Sequence, residues 1–119
     1  MTDPIAQPSD VKDRINLDLD DEAIQTYLND AAFENSKHND VSSMDDDTIR
    51  QIEWRLAAIK ILKYRLGSRS LNHQIIGAVQ KTYESRMIRD LKSELQDYDP
   101  SGELGQSLKR SKKRNVFKT

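Results

Sequence analysis

Two histidines, two acidic clusters and one basic run are the groups in this sequence with chemistry to offer. His38 and His73 lie far apart, and neither is followed four residues on by a second ligand type, the spacing that places two metal ligands on one helix face. They read as surface histidines or as supports for a neighbouring group. The carboxylates of DLDDE (18–22) and DDD (45–47) are the hard oxygen ligands that divalent cations take. Both clusters lack the alternating ligands and central glycine of a calcium loop. Helix starts account for them more simply, since aspartate accepts from free N–H groups and suits the positive end of the helix dipole. The chain has no phosphate-cradling glycine loop, no nucleophile elbow and no HExxH. A non-catalytic protein with no cofactor and no metal is expected.

The basic run is KRSKKR, comprising Lys109, Arg110, Lys112, Lys113 and Arg114 around Ser111. Such a run can neutralise phosphates without reading sequence. No aromatic is interleaved until Phe117, so base stacking is not indicated. The run can equally be an arm that orders on an acidic protein surface with Phe117 as its anchor, or a plain solubilising tail.

The elements that must position these groups are helical. Residues 1–8 contain Pro4 and Pro8 and read as a flexible lead. Ser9 can cap a short helix from Asp10 to about Asn16, with Val11 and Ile15 on one face. Leu17 and Leu19 alternate with aspartates as an extended joint. Asp20 or Asp21 caps a helix to about Asn35, whose stripe is Ala23, Ile24, Tyr27, Leu28, Ala31 and Ala32. A loop follows to Asp47.

The third helix is predicted from about Asp46 to Leu66, stopped by Gly67. It carries two apolar stripes. Ile49, Ile52, Leu56, Ile59 and Leu66 form one, and Trp54, Ala57, Ala58 and Ile61 form another roughly opposite it. The second stripe is a candidate inter-subunit interface, unless a fourth helix covers it. Residues 68–84 fit a helix through Ile75, Val79 and Tyr83, or an extended segment because of Gly77. Ser85 can cap a last helix to Tyr98, ended by Asp99-Pro100-Ser101-Gly102. The expected fold is all-α: a small bundle of about four helices spanning residues 9–98, an extended segment before the last helix, and a long basic C-terminal arm over 99–119.

Charge is unevenly distributed. Met1 to Asp47 holds three basic and thirteen acidic residues, a net −10. Thr48 to Tyr98 carries +5 and Asp99 to Thr119 carries +4. That asymmetry points to head-to-tail contact between copies or to two partners, or reflects only solvated helix faces and a soluble tail. There is no cysteine, and no apolar run approaches the ~20 residues of a membrane span. The start, MTDPIAQPSD, lacks the basic and apolar regions of a signal peptide. A soluble protein made inside a cell, without a membrane partner, is expected.

The order of features is a short helix with VKDRINLDLDDE, a helix ending YLNDAAFEN, the long IEWRLAAIKILKYRLG, then IIGAVQKTY and SRMIRDLKSELQDYDP. Over roughly residues 9–100 this resembles the head–tail connector (adaptor) proteins of tailed viruses of bacteria and archaea. The matching positions are the Val-Lys start, the Ala31-Ala32 pair, the segment Gly77 to Tyr83, and Leu95 with Tyr98. The loop 36–47 lacks the family's usual glycine. The resemblance implies a structural virion protein at the head–tail junction, made in the host cytoplasm. About a dozen copies would form a ring under the portal, contact further neck and tail proteins, and extend the channel for packaged DNA without reading its sequence. It also implies that residues 103–119 dock on the portal, through Leu108, the five bases of 109–114, Val116 and Phe117. Finally, it favours an extended conformation for 72–84.

Overall fold

The computed structural model describes residues 3–15, 18–68 and 74–104, with side chains for all of these except 66–68 and 74–81. Four α-helices follow one another: α1 (Pro8–Lys12), α2 (Asp21–His38), α3 (Asp46–Ser68) and α4 (Gln74–Tyr98), with a 3-10 turn at Val41–Ser43 between α2 and α3. There is no strand among the described residues, and the fold is a small all-α bundle.

The aspartates start the two helices that sequence assigned to them. Asp20 Oδ1 accepts from Ala23 N–H at 2.9 Å, and Asp45 Oδ1 accepts from Thr48 N–H at 2.9 Å. Each satisfies a donor that the first helical turn leaves free. The short α1 begins earlier than expected. Its N-cap is Gln7, not Ser9, and Pro8 stands at the first helical position, where a missing N–H costs nothing. The Asp10 carboxylate accepts from Gln7 N–H at 2.8 Å. Val11 and Ile15 are both buried, as their spacing predicts.

Both apolar stripes of α3 are buried within the single chain, for the described side chains of each. α2 and α4 both pack on α3, and α1 packs on α2 and α3. A helix that is apolar on opposite sides is therefore the centre of the bundle. Trp54, Ala57, Ala58 and Ile61, expected to be an inter-subunit interface, are core residues instead. Side chains covered by their own chain have no surface left for a neighbour. Fully burying a residue such as Leu56 or Ile59 contributes ~1.5–3 kcal/mol, which favours closure within the chain.

Two boundaries also move. α3 continues past Gly67 to Ser68. α4 begins at Gln74, so 74–84 is helical rather than extended and Ser85 is an interior residue, not a cap. Gly77 costs such a helix only ~1 kcal/mol relative to alanine. The Arg65–Glu84 ion pair at 3.1 Å fastens this part of α4 to α3. α4 ends at Tyr98, as the Asp-Pro-Ser-Gly sequence predicts.

The packed body is longer than 9–98. Ala6 is buried on one side of it, and Leu104 is completely buried on the other.

Candidate functional site

Four carboxylates tie separate segments of the body together. Glu53, in the first half of α3, is 1% exposed. Its Oε1 accepts from the backbone N–H of Ile5 at 2.7 Å and of Ala6 at 2.9 Å. The lead expected to be flexible is thus clamped at residues 5 and 6. Burial pushes the Glu53 carboxyl above its ordinary value, and the two N–H donors only partly offset this.

Glu94 of α4 takes a bidentate contact from Arg14 just beyond α1, and Arg55 Nε of α3 donates to it at 2.9 Å. The Arg14 hydrogen bonds are the largest cause of its depressed pKa of about 2, with Arg55 adding to them. Arg14 is raised in turn, mainly by the same contact. The Arg55 guanidinium lies between the rings of Trp54 (4.3 Å) and Tyr98 (4.7 Å) and also donates to Gln51 Oε1 at 2.6 Å. Gln51 Oε1 accepts from the Trp54 indole as well, at 3.1 Å. This seam satisfies the polar edge of a large aromatic while its face is covered by a cation.

Asp99 closes the end of α4. Its Oδ1 accepts from Asn39 Nδ2 (2.9 Å) and from the Ser101 hydroxyl (2.8 Å) and N–H (3.1 Å), while Oδ2 accepts from Leu104 N–H (3.0 Å). Burial alone would raise its pKa, yet these donors together hold it below the ordinary value. Gly102 has φ +68° within this turn, a conformation that favours glycine. The turn seats Leu104 in the core. Glu84, 1% exposed, is the fourth carboxylate and pairs with Arg65.

Among the described residues, those named from sequence as chemical candidates are not brought together. His38 Nε2 sits 3.9 Å from Glu34 Oε2, the residue four before it, and Lys60 Nζ is 3.1 Å from Glu34 Oε1. His73, Leu108, Lys109, Arg110, Lys112, Lys113, Arg114, Val116 and Phe117 lie outside the described residues. The acidic clusters divide into caps and ion pairs: Asp20 and Asp45 cap, Asp21 pairs with Lys12, and Asp47 pairs with Arg50. No group of three or more His, Asp or Glu side chains among the described residues could hold a metal ion. No described helix is long and apolar enough to cross a membrane.

Sequence reasoning did not single out the exposed aromatics. Tyr64, Tyr83 and Phe33 are 65%, 50% and 53% exposed. Tyr83 fits the apolar i+4 spacing of Ile75 and Val79 yet faces solvent. Arg86 and Arg89, about one and nearly two turns further along α4, are exposed too.

Comparison with protein families, with curated proteins and with solved structures finds no match for this chain.

Proposed function

We propose that this chain is a structural virion protein, a head–tail adaptor whose copies form a ring beneath a portal and extend the DNA channel toward the tail. The observation that carries this reading is the order of sequence features over residues 9–100, from the Val-Lys start to Leu95 and Tyr98. The small all-α bundle is compatible with it. So is the way the carboxylates of the body are spent: Glu53, Glu94 and Asp99 tie segments of the same chain together rather than converging on an open cleft. Two features depart from the family pattern, the helical state of 74–84 and the lack of glycine in loop 36–47.

In this reading the portal is met by the C-terminal arm. The buried position of Leu104 moves the start of that arm. A chain cut before Glu103 loses a core side chain, whereas one ending at Leu104 keeps every contact described above. The decisive experiment is therefore co-sedimentation with the portal of the full chain and of a chain ending at Leu104. Loss of binding on truncation is expected, and equal binding overturns the docking arm. Full-chain binding to duplex DNA, with a salt dependence matching about five neutralised phosphates, would instead favour a small helical nucleic-acid-binding protein acting through Lys109 to Arg114.

A further inference from the structure

We infer that residues 3–15 are a releasable strap. They come away from α2, α3 and α4 as one piece while those helices stay packed, and the groove they leave takes an amphipathic segment of the strap's own chemistry.

Few apolar side chains hold the strap. Ala6, Val11 and Ile15 are buried, while Asp3, Gln7, Ser9, Lys12 and Asp13 are exposed. Its helix, α1, is five residues long, too short to persist without a surface to pack on. Three buried side chains cannot alone offset the conformational entropy lost by fixing the whole segment.

The remaining ties are polar and reach every helix of the body. Lys12 pairs with Asp21 of α2, Asp10 with Arg50 of α3 at 3.6 Å, and Arg14 with Glu94 of α4. Breaking these three pairs leaves no charge of the body stranded. Glu94 keeps Arg55 at 2.9 Å, Arg50 keeps Asp47 at 3.4 Å, and Asp21 is exposed. The body also has ties of its own. Lys60 pairs with Glu34 between α3 and α2, and Asn39 donates to Asp99 between the finishes of α2 and α4. The three long helices therefore stay joined when the strap leaves.

Glu53 differs from the other body-side partners. It is buried, and the donors to its Oε1 are the N–H groups of Ile5 and Ala6, which leave with the strap. That makes Glu53 the latch. Release is possible because water then takes the place of the two donors, and burial already works against this carboxyl's charge. The uncovered groove is apolar, with the Glu53 carboxylate inside it and Arg50 and Glu94 beside it. A segment that fits brings apolar side chains spaced like Ala6, Val11 and Ile15, and a cation for Glu94. It also brings two backbone N–H groups with no other acceptor, which the stretch leading into a helix supplies. None of this requires a portal, so it stands or falls apart from the adaptor reading.

The test is native-state amide exchange of the full chain, followed by NMR in ~0–1 M urea. The amides of Ala6, Asp13 and Ile15 should share one opening, at least about hundredfold more populated than the one that exposes Ala57 and Ala58. Strap exchange should barely respond to urea, because little surface is uncovered, whereas exchange at Ala57 and Ala58 should rise steeply. Ile61→Val, in the body, should speed Ala57 and Ala58 about three- to tenfold and leave the strap rates unchanged. Strap amides that follow Ala57 and Ala58, in urea or in this variant, overturn the proposal, since the strap then opens only with the whole molecule. Unequal openings at Ala6 and Ile15 overturn it too, because the segment would fray rather than release.

The groove is probed by anisotropy with a fluorescein-labelled peptide of residues 3–15. Val11→Ala weakens the strap and leaves the groove intact, so this chain should bind the peptide at least about tenfold more tightly than the unaltered chain does. Adding Glu53→Ala removes the latch and should abolish that gain. Equal binding by the unaltered and Val11→Ala chains, or a gain that survives Glu53→Ala, overturns the groove.

Discussion

Where α4 finishes, a buried carboxylate collects its donors from inside the chain; on the outer faces of α3 and α4, tyrosines and arginines are left facing solvent. At the first end Asp99 gathers donors from α2 and from the turn after α4, and Leu104 fills the core beneath. On the outer faces, Tyr64, Tyr83, Arg86 and Arg89 face solvent, while the Arg65–Glu84 ion pair ties α3 to α4 beneath them. The contrast separates two uses of charged residues. A carboxylate that satisfies backbone N–H groups in a buried turn specifies the fold, because leaving those donors unpaired is costly. Exposed arginines contribute little to stability and remain available to a partner.

Substitutions can test that division, beginning with the largest effect. Leu104→Ala should cost ~2–5 kcal/mol in urea unfolding, the range for emptying a fully buried leucine site. A cost below ~0.5 kcal/mol would mean the turn after α4 is not part of the folded body. Asp99→Ala should follow, at ~1.5–3 kcal/mol, since it strips the acceptor from Asn39, Ser101 and Leu104 together. Glu53→Ala should cost ~1–2 kcal/mol and speed amide exchange at Ile5 and Ala6. Glu53→Gln keeps an acceptor and should restore slow exchange at both.

Glu53 of α3 and Glu94 of α4 should respond to pH in opposite directions. Glu94 titrates in the folded state at about 2, below the ordinary 4.5. Its contribution is present above pH ~4.5 and is lost as pH falls toward 2. Glu53 is raised by burial, so its contribution is present below pH ~4.5 and is lost as pH rises through the folded value. Melting temperatures across pH should therefore lose part of their acid-side fall in Glu94→Gln. Glu53→Gln should instead remove a decline on the rising side. The smallest effect should come from Tyr64→Ala or Tyr83→Ala, within ~0.5 kcal/mol of the unaltered chain in the monomer. A larger loss would place those rings in the fold rather than on its surface.

Sequence read well what is local. Helix starts at Asp20 and Asp45 were legible because a cap acts over three residues, and the core stripes of α2 and α3 because helical periodicity is intrinsic to the chain. The two-sided pattern of α3 was also legible, but not what covers it. That depends on α4, which begins at Gln74 and runs through the glycine at 77. Glu53, Glu84 and Asp99 could not be distinguished from surface acids. Their partners include residues 48, 19 and 60 positions away, and no spacing rule spans such distances. The exposure of Tyr64 and Tyr83 has the same explanation, since the pairing of α3 with α4 decides which flank of each helix is covered.

The central place of α3 has a consequence in time. α2 and α4 each pack chiefly against α3, and α1 touches it as well. No pair of outer helices can hold a core between them if α3 leaves. The amides in the middle of α3, around Ala57 and Ala58, should therefore exchange with solvent only when the whole molecule opens. Their exchange rate is then a direct clock for global unfolding. Any partner that binds the folded body slows that clock, whichever surface it covers.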